Sequence, residues 1–432
     1  MLVARDTLYL NYAMTWVYNG RWRLYNIKED IMRKNLRQLL GSLLSAVIVI
    51  AFATTCAYAA SASSFTRLFG ETRYETMSRI IQTAFPDHSD YAVLASGDNF
   101  PDALAASSLA GALHAPIILT SSSTLSDEAR SEIQRLNVKT VAIVGGPFAV
   151  SAAVEHQVAQ ITSGGSVIRF FGNTRIETAL AIYREAPLSL PVKWSRNAII
   201  ATSSNFADAL SISPYAFVSS SPIFLVDSAA GLNSGVQEAL SRESFDRGII
   251  VGGAVAVSQS IESQLLYHQL SVTRLSGDTR YNTSAEIGRF VLSSLNSNPN
   301  DVVFATGANF PDALAGGVLA GVKNTALLLV ENKYSPTISF AEQNIPYVQN
   351  LYVLGGKSAV NSSTANSISL RYGLGEVEPD PSEYVNVGGV TPGAFCKKIY
   401  SGKKALSKHG TVMICSADPG TNLYRWREYT GW

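Results

Sequence analysis

Short apolar runs alternate along this chain with longer stretches of helical period. Val93-Leu94-Ala95, Ile117-Ile118-Leu119 and Val141-Ala142-Ile143-Val144 show no alternation of apolar and polar positions. Strands covered on both faces read this way, as in a parallel sheet flanked by helices. The pattern predicts a strand running to Gly70, helix 75–85, strand 91–96 and helix 102–114. Strand 117–120, helix 126–136, strand 140–144 and helix 150–161 follow. Strands alternating with helices give an α/β layer fold. The order of the strands within a sheet does not follow from periodicity.

The same series returns twice. Arg67-Leu-Phe-Gly-Glu-Thr-Arg73-Tyr-Glu-Thr76 reappears as Arg169-Phe-Phe-Gly-Asn-Thr-Arg175-Ile-Glu-Thr178 and as Arg274-Leu-Ser-Gly-Asp-Thr-Arg280-Tyr-Asn-Thr283, at spacings of 102 and 105 residues. Asn99-Phe-Pro-Asp102-Ala-Leu104 is matched in phase by Asn205-Phe-Ala-Asp208-Ala-Leu210 and Asn309-Phe-Pro-Asp312-Ala-Leu314. Val144-Gly145-Gly146 is matched by Val251-Gly252-Gly253 and Leu354-Gly355-Gly356. A period of roughly a hundred residues suits a small domain. Three modules result, at 65–165, 167–270 and 272–373.

Both ends differ from the repeats. Met32 opens a basic stretch, Arg33-Lys34-Asn35-Leu36-Arg37, and 39–53 is apolar apart from Gly41, Ser42 and Ser45. Ala57-Tyr58-Ala59 then offers a small-x-small cleavage triplet, so 32–59 is expected to be an export signal. A single membrane anchor is the alternative, but the apolar run is shorter than the ~20 residues a span needs. Met32 is then the expected start, and 1–31, without clear periodicity, a leader extension or mis-assigned start. Ala53-Thr54-Thr55 is a poor lead-in for lipid attachment at Cys56. Beyond the modules, 376–384 reads as an acidic, proline-bearing linker. The tail at 385–432 holds Cys396 and Cys415, seven Lys and Arg, and only Asp418 and Glu428 as acids.

Composition excludes several classes. The 432 residues are 47% hydrophobic and 16% charged, which argues against disorder and against a multi-pass membrane protein. A net charge of +1 gives no global basic field for nucleic acid. Cleavage after Ala59 leaves 27 basic against 30 acidic residues, a mildly acidic exported chain. Membrane contact is expected only during export. Three cysteines fit neither a disulfide-dense scaffold nor a zinc cluster. The pair left after cleavage, Cys396 and Cys415, is expected to close a short disulfide loop.

Each repeated block lies just past a strand, at the mouth of a helix, where parallel α/β sheets bind ligands. Asp102, Asp208 and Asp312 suit the positive end of a helix and are read first as helix-start residues paired with Arg73, Arg175 and Arg280. Alternatively those arginines, with Asn99, Asn205 and Asn309 beside them, face an anionic ligand. Gly145-Gly146, Gly252-Gly253 and Gly355-Gly356 are tight turns or anion nests. Signatures of nucleophile elbows, dinucleotide or phosphate loops and zinc proteases are missing, and the five histidines do not recur in phase. No cofactor or metal is expected.

In combination, G-x-T-R-[YI]-x-T, N-F-[PA]-D-A-L and [VL]-G-G resemble the cell wall-binding repeat 2 family of exported Gram-positive proteins, from about Phe65 to Tyr372. The resemblance implies three Toprim-like α/β modules in a pseudo-threefold assembly. It also implies noncovalent attachment to an anionic cell-wall polymer or peptidoglycan-associated glycan, without catalysis. The family's hydrophobic triplet, linked there to polymer binding, corresponds to Ile117-Ile118-Leu119, Ile223-Phe224-Leu225 and Leu327-Leu328-Leu329. Read from the residues, these runs are buried strands. Copy two departs most, with Ile176 for Tyr, Ala207 for Pro and Ser203-Ser204 for Gly97-Asp98, and is expected to contribute least to a ligand site. A wall-polymer hydrolase using Asp98 or Asp102 and an extracellular solute-binding protein are the rival readings.

Overall fold

The computed structural model describes residues 12–17, 21–26 and 64–428, apart from 100–101, 163–164, 243–244, 296, 298–299, 379–386 and 410. The expected export signal and most of the expected linker lie outside the described residues. Two compact units divide the chain, Met1–Ala62 and Ser63–Trp432. In the first, β1 (Tyr12–Val17) pairs antiparallel with β2 (Arg21–Asn26), placing Trp16 opposite Trp22 and Met14 opposite Leu24. Sequence reading found no element here, although Asn19-Gly20 is the dipeptide that short hairpins favour.

The second unit carries the repeats. Repeat one runs β3 (Ser64–Leu68), α1 (Arg73–Ala84), β4 (Tyr91–Ser96), a 3-10 turn (Ala103–Ala105) leading into α2 (Ala106–Leu113), β5 (Ile117–Thr120), α3 (Asp127–Arg135), β6 (Thr140–Val144) and α4 (Ala152–Ile161). Repeat two runs β7 (Ser166–Phe170), α5 (Arg175–Ser189), β8 (Asn197–Thr202), α6 (Ala207–Ser219), β9 (Ile223–Val226), α7 (Ser234–Arg242), β10 (Arg247–Val251) and α8 (Gln259–Tyr267). Repeat three runs β11 (Ser271–Leu275), α9 (Arg280–Ser294), β12 (Asp301–Thr306), α10 (Pro311–Val322), β13 (Leu327–Val330), α11 (Pro336–Asn344), β14 (Asn350–Leu354) and α12 (Ser362–Arg371). No helix among the described residues is long and apolar enough to cross a membrane.

Three four-stranded sheets form, in the orders β5-β4-β6-β7, β9-β8-β10-β11 and β13-β12-β14-β3. Every pairing in them is parallel. The strand that opens each repeat therefore closes the sheet of the repeat before it. β3 completes the cycle by pairing with β14. The sequence repeat and the folded unit are thus out of phase by one strand, and three modules share their sheets in a ring.

The hydrophobic triplets lie on β5, β9 and β13, the outer strand of each sheet, and all nine side chains are buried. Each packs against the preceding repeat: β9 on the turn at 103–105, β13 on α6, and β5 on α10. At one such seam the N–H of Ile223 donates to Ser108 Oγ at 3.1 Å. Between the sheets α2, α6 and α10 meet one another. Phe217 fills their centre because its neighbours are glycines. A Cβ on Gly111 would stand 2.0 Å from the Phe217 carbonyl oxygen, and one on Gly321 would stand 2.7 Å from its ring. One apolar core consequently draws on all three modules.

The tail is a small antiparallel sheet, β15 (Lys404–Leu406), β16 (Val412–Ala417) and β17 (Tyr424–Glu428). Its core is Val390, Ala405, Met413 and Trp426, with Cys415 joined to Cys396 by a disulfide across 19 residues. So small a core needs such a staple.

Candidate functional site

The motif around each arginine is first of all a helix start. Thr72, Thr174 and Thr279 cap α1, α5 and α9, accepting from the N–H groups of Glu75, Glu177 and Asn282 at 3.1, 3.2 and 3.2 Å. Thr76, Thr178 and Thr283 accept from the N–H groups of Gly70, Gly172 and Gly277 at 3.0, 3.1 and 3.0 Å. Loop and helix are locked together, which fixes the arginine between them. Arg73 donates to the Gly97 carbonyl, Arg175 to that of Ser203 at 2.7 Å and Arg280 to that of Gly307 at 2.6 Å. Each guanidinium is thereby held at the carboxyl end of β4, β8 or β12.

The aspartates face arginines of the next repeat, not their own. Arg280 acts on Asp208 and Arg73 on Asp312, while Arg175 and Asp102 line one cavity. Pairing within a repeat, as sequence reading had it, fails because the strand before each arginine belongs to the neighbouring sheet. Burial pushes the carboxyls of Asp208 and Asp312 up to about 6, with the guanidinium pulling the other way.

The glycine pairs complete each junction. Gly145, Gly252 and Gly355 adopt φ of 111°, 107° and 91°. A Cβ there would stand 3.0, 2.6 and 2.3 Å from Oδ2 of Asp102, Asp208 and Asp312. The first glycine of each pair therefore serves a left-handed turn and the close approach of a carboxylate. Gly146, Gly253 and Gly356 are partly exposed beyond it. Asn99, Asn205 and Asn309 lie exposed on the loops after β4, β8 and β12. Asn205 Oδ1 accepts from the Ala207 N–H at 3.2 Å.

A cavity of about 620 Å³ between repeats one and two is lined by Asp102, Gly146, Phe148, Ala149, Gly172, Asn173, Thr174, Arg175, Ile176, Ser203 and Ser204. Phe148 projects fully into solvent and Phe171 lies half-exposed on the same loop system, its ring against Gly146. In the other repeats the rings of Tyr74 and Tyr281 lie over Gly97 and Gly307, where an added Cβ would stand 2.6 and 2.5 Å from them. Here Ile176 takes the place of the tyrosine and Ser203 that of the glycine. Of the departures expected to weaken copy two, Ile176, Ser203 and Ser204 line this space and Ala207 does not.

Asp98, a candidate for hydrolysis, has structural partners. Its Oδ1 accepts from the Tyr74 hydroxyl and its Oδ2 from the Ser122 N–H, both at 2.9 Å. Burial raises this carboxyl, but those hydrogen bonds outweigh burial and hold it below its usual value.

A second set of contacts marks the junctions. Arg169 pairs with Glu155 of α4 at 2.8 Å and donates to the Gly145 carbonyl at 2.7 Å. Arg274 pairs with Glu262 of α8 at 2.8 Å and donates to the Gly252 carbonyl at 2.9 Å. At the ring-closing junction Arg67 donates to the Gly355 carbonyl at 2.7 Å, but α12 has Ala365 in the glutamate's place. Glu378, from the segment expected to be an acidic, proline-bearing linker, supplies the carboxylate to Arg67. Asn366 Oδ1 fixes that segment, accepting from the N–H groups of Val377 and Glu378 at 3.0 and 2.9 Å. Spacing from Asn361, which matches Ser151 and Ser258, exposes the missing glutamate in the sequence. Nothing there identifies its replacement.

Residues 67–155, 169–262 and 274–365 match the family model for cell wall binding domain 2. N-acetylmuramoyl-L-alanine amidase LytC of Bacillus subtilis (strain 168) is 28% identical over 71% of this chain and 58% of its own length. The amidase enhancer of the same organism is 28% identical over 72% of this chain and 41% of its own length. The chain thus spans about half the length of the curated relatives it matches. Among solved structures, Cwp6 from Clostridium difficile superposes with a TM-score of 0.63 at 24% identity, over 78% of this chain and 54% of its own.

Proposed function

Because this chain belongs to the cell wall binding domain 2 family, we propose that it is an exported protein held noncovalently to the wall of a Gram-positive bacterium. Its ligand is an anionic secondary wall polymer, and the junction between repeats one and two is the principal docking place. The open cavity at that junction carries the reading. It combines a guanidinium, the N-terminus of α5 and a glycine loop, three features that favour an anion. Phe148 and Phe171 add exposed apolar surface for the uncharged parts of a polymer. The other two junctions repeat the arginine and glycine loop, so several weak contacts on one rigid ring gain avidity on a repeating chain.

The modules are binding units on this reading. Asp98 has both carboxylate oxygens occupied, and Asp102 lies against the Gly145 turn, where neither is set up for acid–base work on a glycan. The buried triplets influence binding through the packing of the junctions, since no ligand reaches them.

Co-sedimentation tests the proposal. The unit from residue 63 onward is mixed with Gram-positive sacculi before and after chemical removal of their anionic polymers. Retention is expected to vanish with the polymer and to weaken in half-molar salt. Equal retention on stripped sacculi would point to peptidoglycan instead, and no retention on either would end the reading.

A further inference from the structure

A second cavity of about 620 Å³ lies on repeat two, at the opposite end of β8 from the junction. Six residues of strand put the two about 20 Å apart. Trp194 lines it half-buried, with Nε1 donating to the Tyr183 carbonyl at 2.8 Å, so the indole is fixed and its donor is used. Tyr183 and Phe245 pack 5.8 Å apart beneath, extending the aromatic floor. Four cations edge the groove: Arg184, Lys193, Arg196 and Arg242. Glu238 takes Arg184 at 2.5 Å and Arg242 at 2.7 Å, and Asp246 takes Arg196 at 2.6 Å. Among the described residues at this rim, two carboxylates stand against four cations, a positive balance.

A rigid aromatic face beside convergent cations is chemistry for a ring with apolar C–H faces and a negative substituent. We propose that this groove binds a pyranose unit carrying an anionic group, with Trp194 under the ring and Lys193, Arg196 and Arg242 around the charge. Lys193 is exposed and Arg242 is 76% exposed, so both guide the ligand without holding the fold. The site is separate from the junction cavity, and its occupancy does not depend on wall attachment there.

The full chain is titrated with trigalacturonate while tryptophan emission and heat are followed. Maltotriose supplies the ring without charge, and glycerol phosphate oligomers supply charge without the ring. Trp194 is one of five tryptophans in the chain, so the Trp194→Phe variant assigns any emission change to the groove. Saturable emission change with trigalacturonate is expected, with both controls binding about tenfold more weakly or less. Trp194→Phe should abolish the emission change, and Lys193→Glu with Arg242→Glu should weaken binding by about tenfold with an unchanged circular dichroism spectrum. Maltotriose binding as tightly as trigalacturonate, charge reversals without effect, or no saturable binding would each overturn the proposal. A chain that binds trigalacturonate yet ignores sacculi would sink the wall reading alone. One that sediments with sacculi but shows no saturable titration would sink this one alone.

Discussion

The junction between repeats one and two and the junction that closes the ring use the same parts toward opposite ends. At the first, Ile176 and Ser203 stand where the other repeats lay a tyrosine ring over glycine, and a cavity opens. At the last, Tyr74 covers Gly97, and Glu378 reaches in from beyond the modules to pair with Arg67. On the proposed function the first junction admits a ligand, whereas the last is held shut by the Arg67–Glu378 pair. Triplication gave three equivalent seams, and a few side chains made them unequal.

The ring-closing junction should be the most sensitive to a single change. Arg67 and Glu378 have side-chain exposures of 7% and 11%, so removing the carboxylate leaves a buried guanidinium unpaired. Glu378→Ala is expected to cost about 3 kcal/mol in urea unfolding, the lower end for a broken buried pair because Arg67 keeps the Gly355 carbonyl. Adding Ala365→Glu, which restores the arrangement of α4 and α8, should recover most of it. No recovery would mean that Glu378 acts through some contact other than the carboxylate–Arg67 pair.

Acidity probes the second and third junctions together. The carboxyls of Asp208 and Asp312 lie near 6 in the folded chain against an ordinary 3.8. The folded state therefore holds protons that the unfolded state has released between about pH 4 and pH 6. Their contribution to stability is fully present below that window and lost as pH rises through it, by about 2–3 kcal/mol per group. Asp208→Asn and Asp312→Asn should flatten this part of the stability–pH curve. An unchanged slope in both variants would contradict the buried placement.

A smaller effect is expected at the open junction. Glu155 is about a third exposed, so solvent screens its pair with Arg169. Glu155→Ala should cost about 1 kcal/mol, well below the loss from Glu378→Ala. Equal losses would remove the distinction drawn between the two seams.

Much of the fold was legible because it is local. The non-alternating runs at β4, β5 and β6, and the repeated Gly-Gly turns, follow from periodicity and turn chemistry. Thr72, Thr174 and Thr279 followed the same local rules, but their capping role was hidden within a motif read for its arginine. Strand exchange was not legible. A strand's partner in another repeat leaves no mark on its own periodicity, so Arg73 was set beside Asp102 rather than Asp312. Glu378 was hidden for a different reason: its neighbours Glu376 and Pro379 give the composition of a solvated segment, and only the empty place at Ala365 gives it a partner. Copy two departs from the motif at Ile176 and Ser203, and both residues line a cavity where the other repeats lay a tyrosine ring over glycine.

The most direct test copies the closed arrangement onto the open junction. Ile176→Tyr with Ser203→Gly installs the pair found in repeats one and three and should fill the cavity while leaving unfolding unchanged. Retention on polymer-bearing sacculi is expected to fall several-fold, since the other junctions supply only part of a multivalent hold. Full retention by a normally folded double variant would contradict the account and remove the junction of repeats one and two as the docking place.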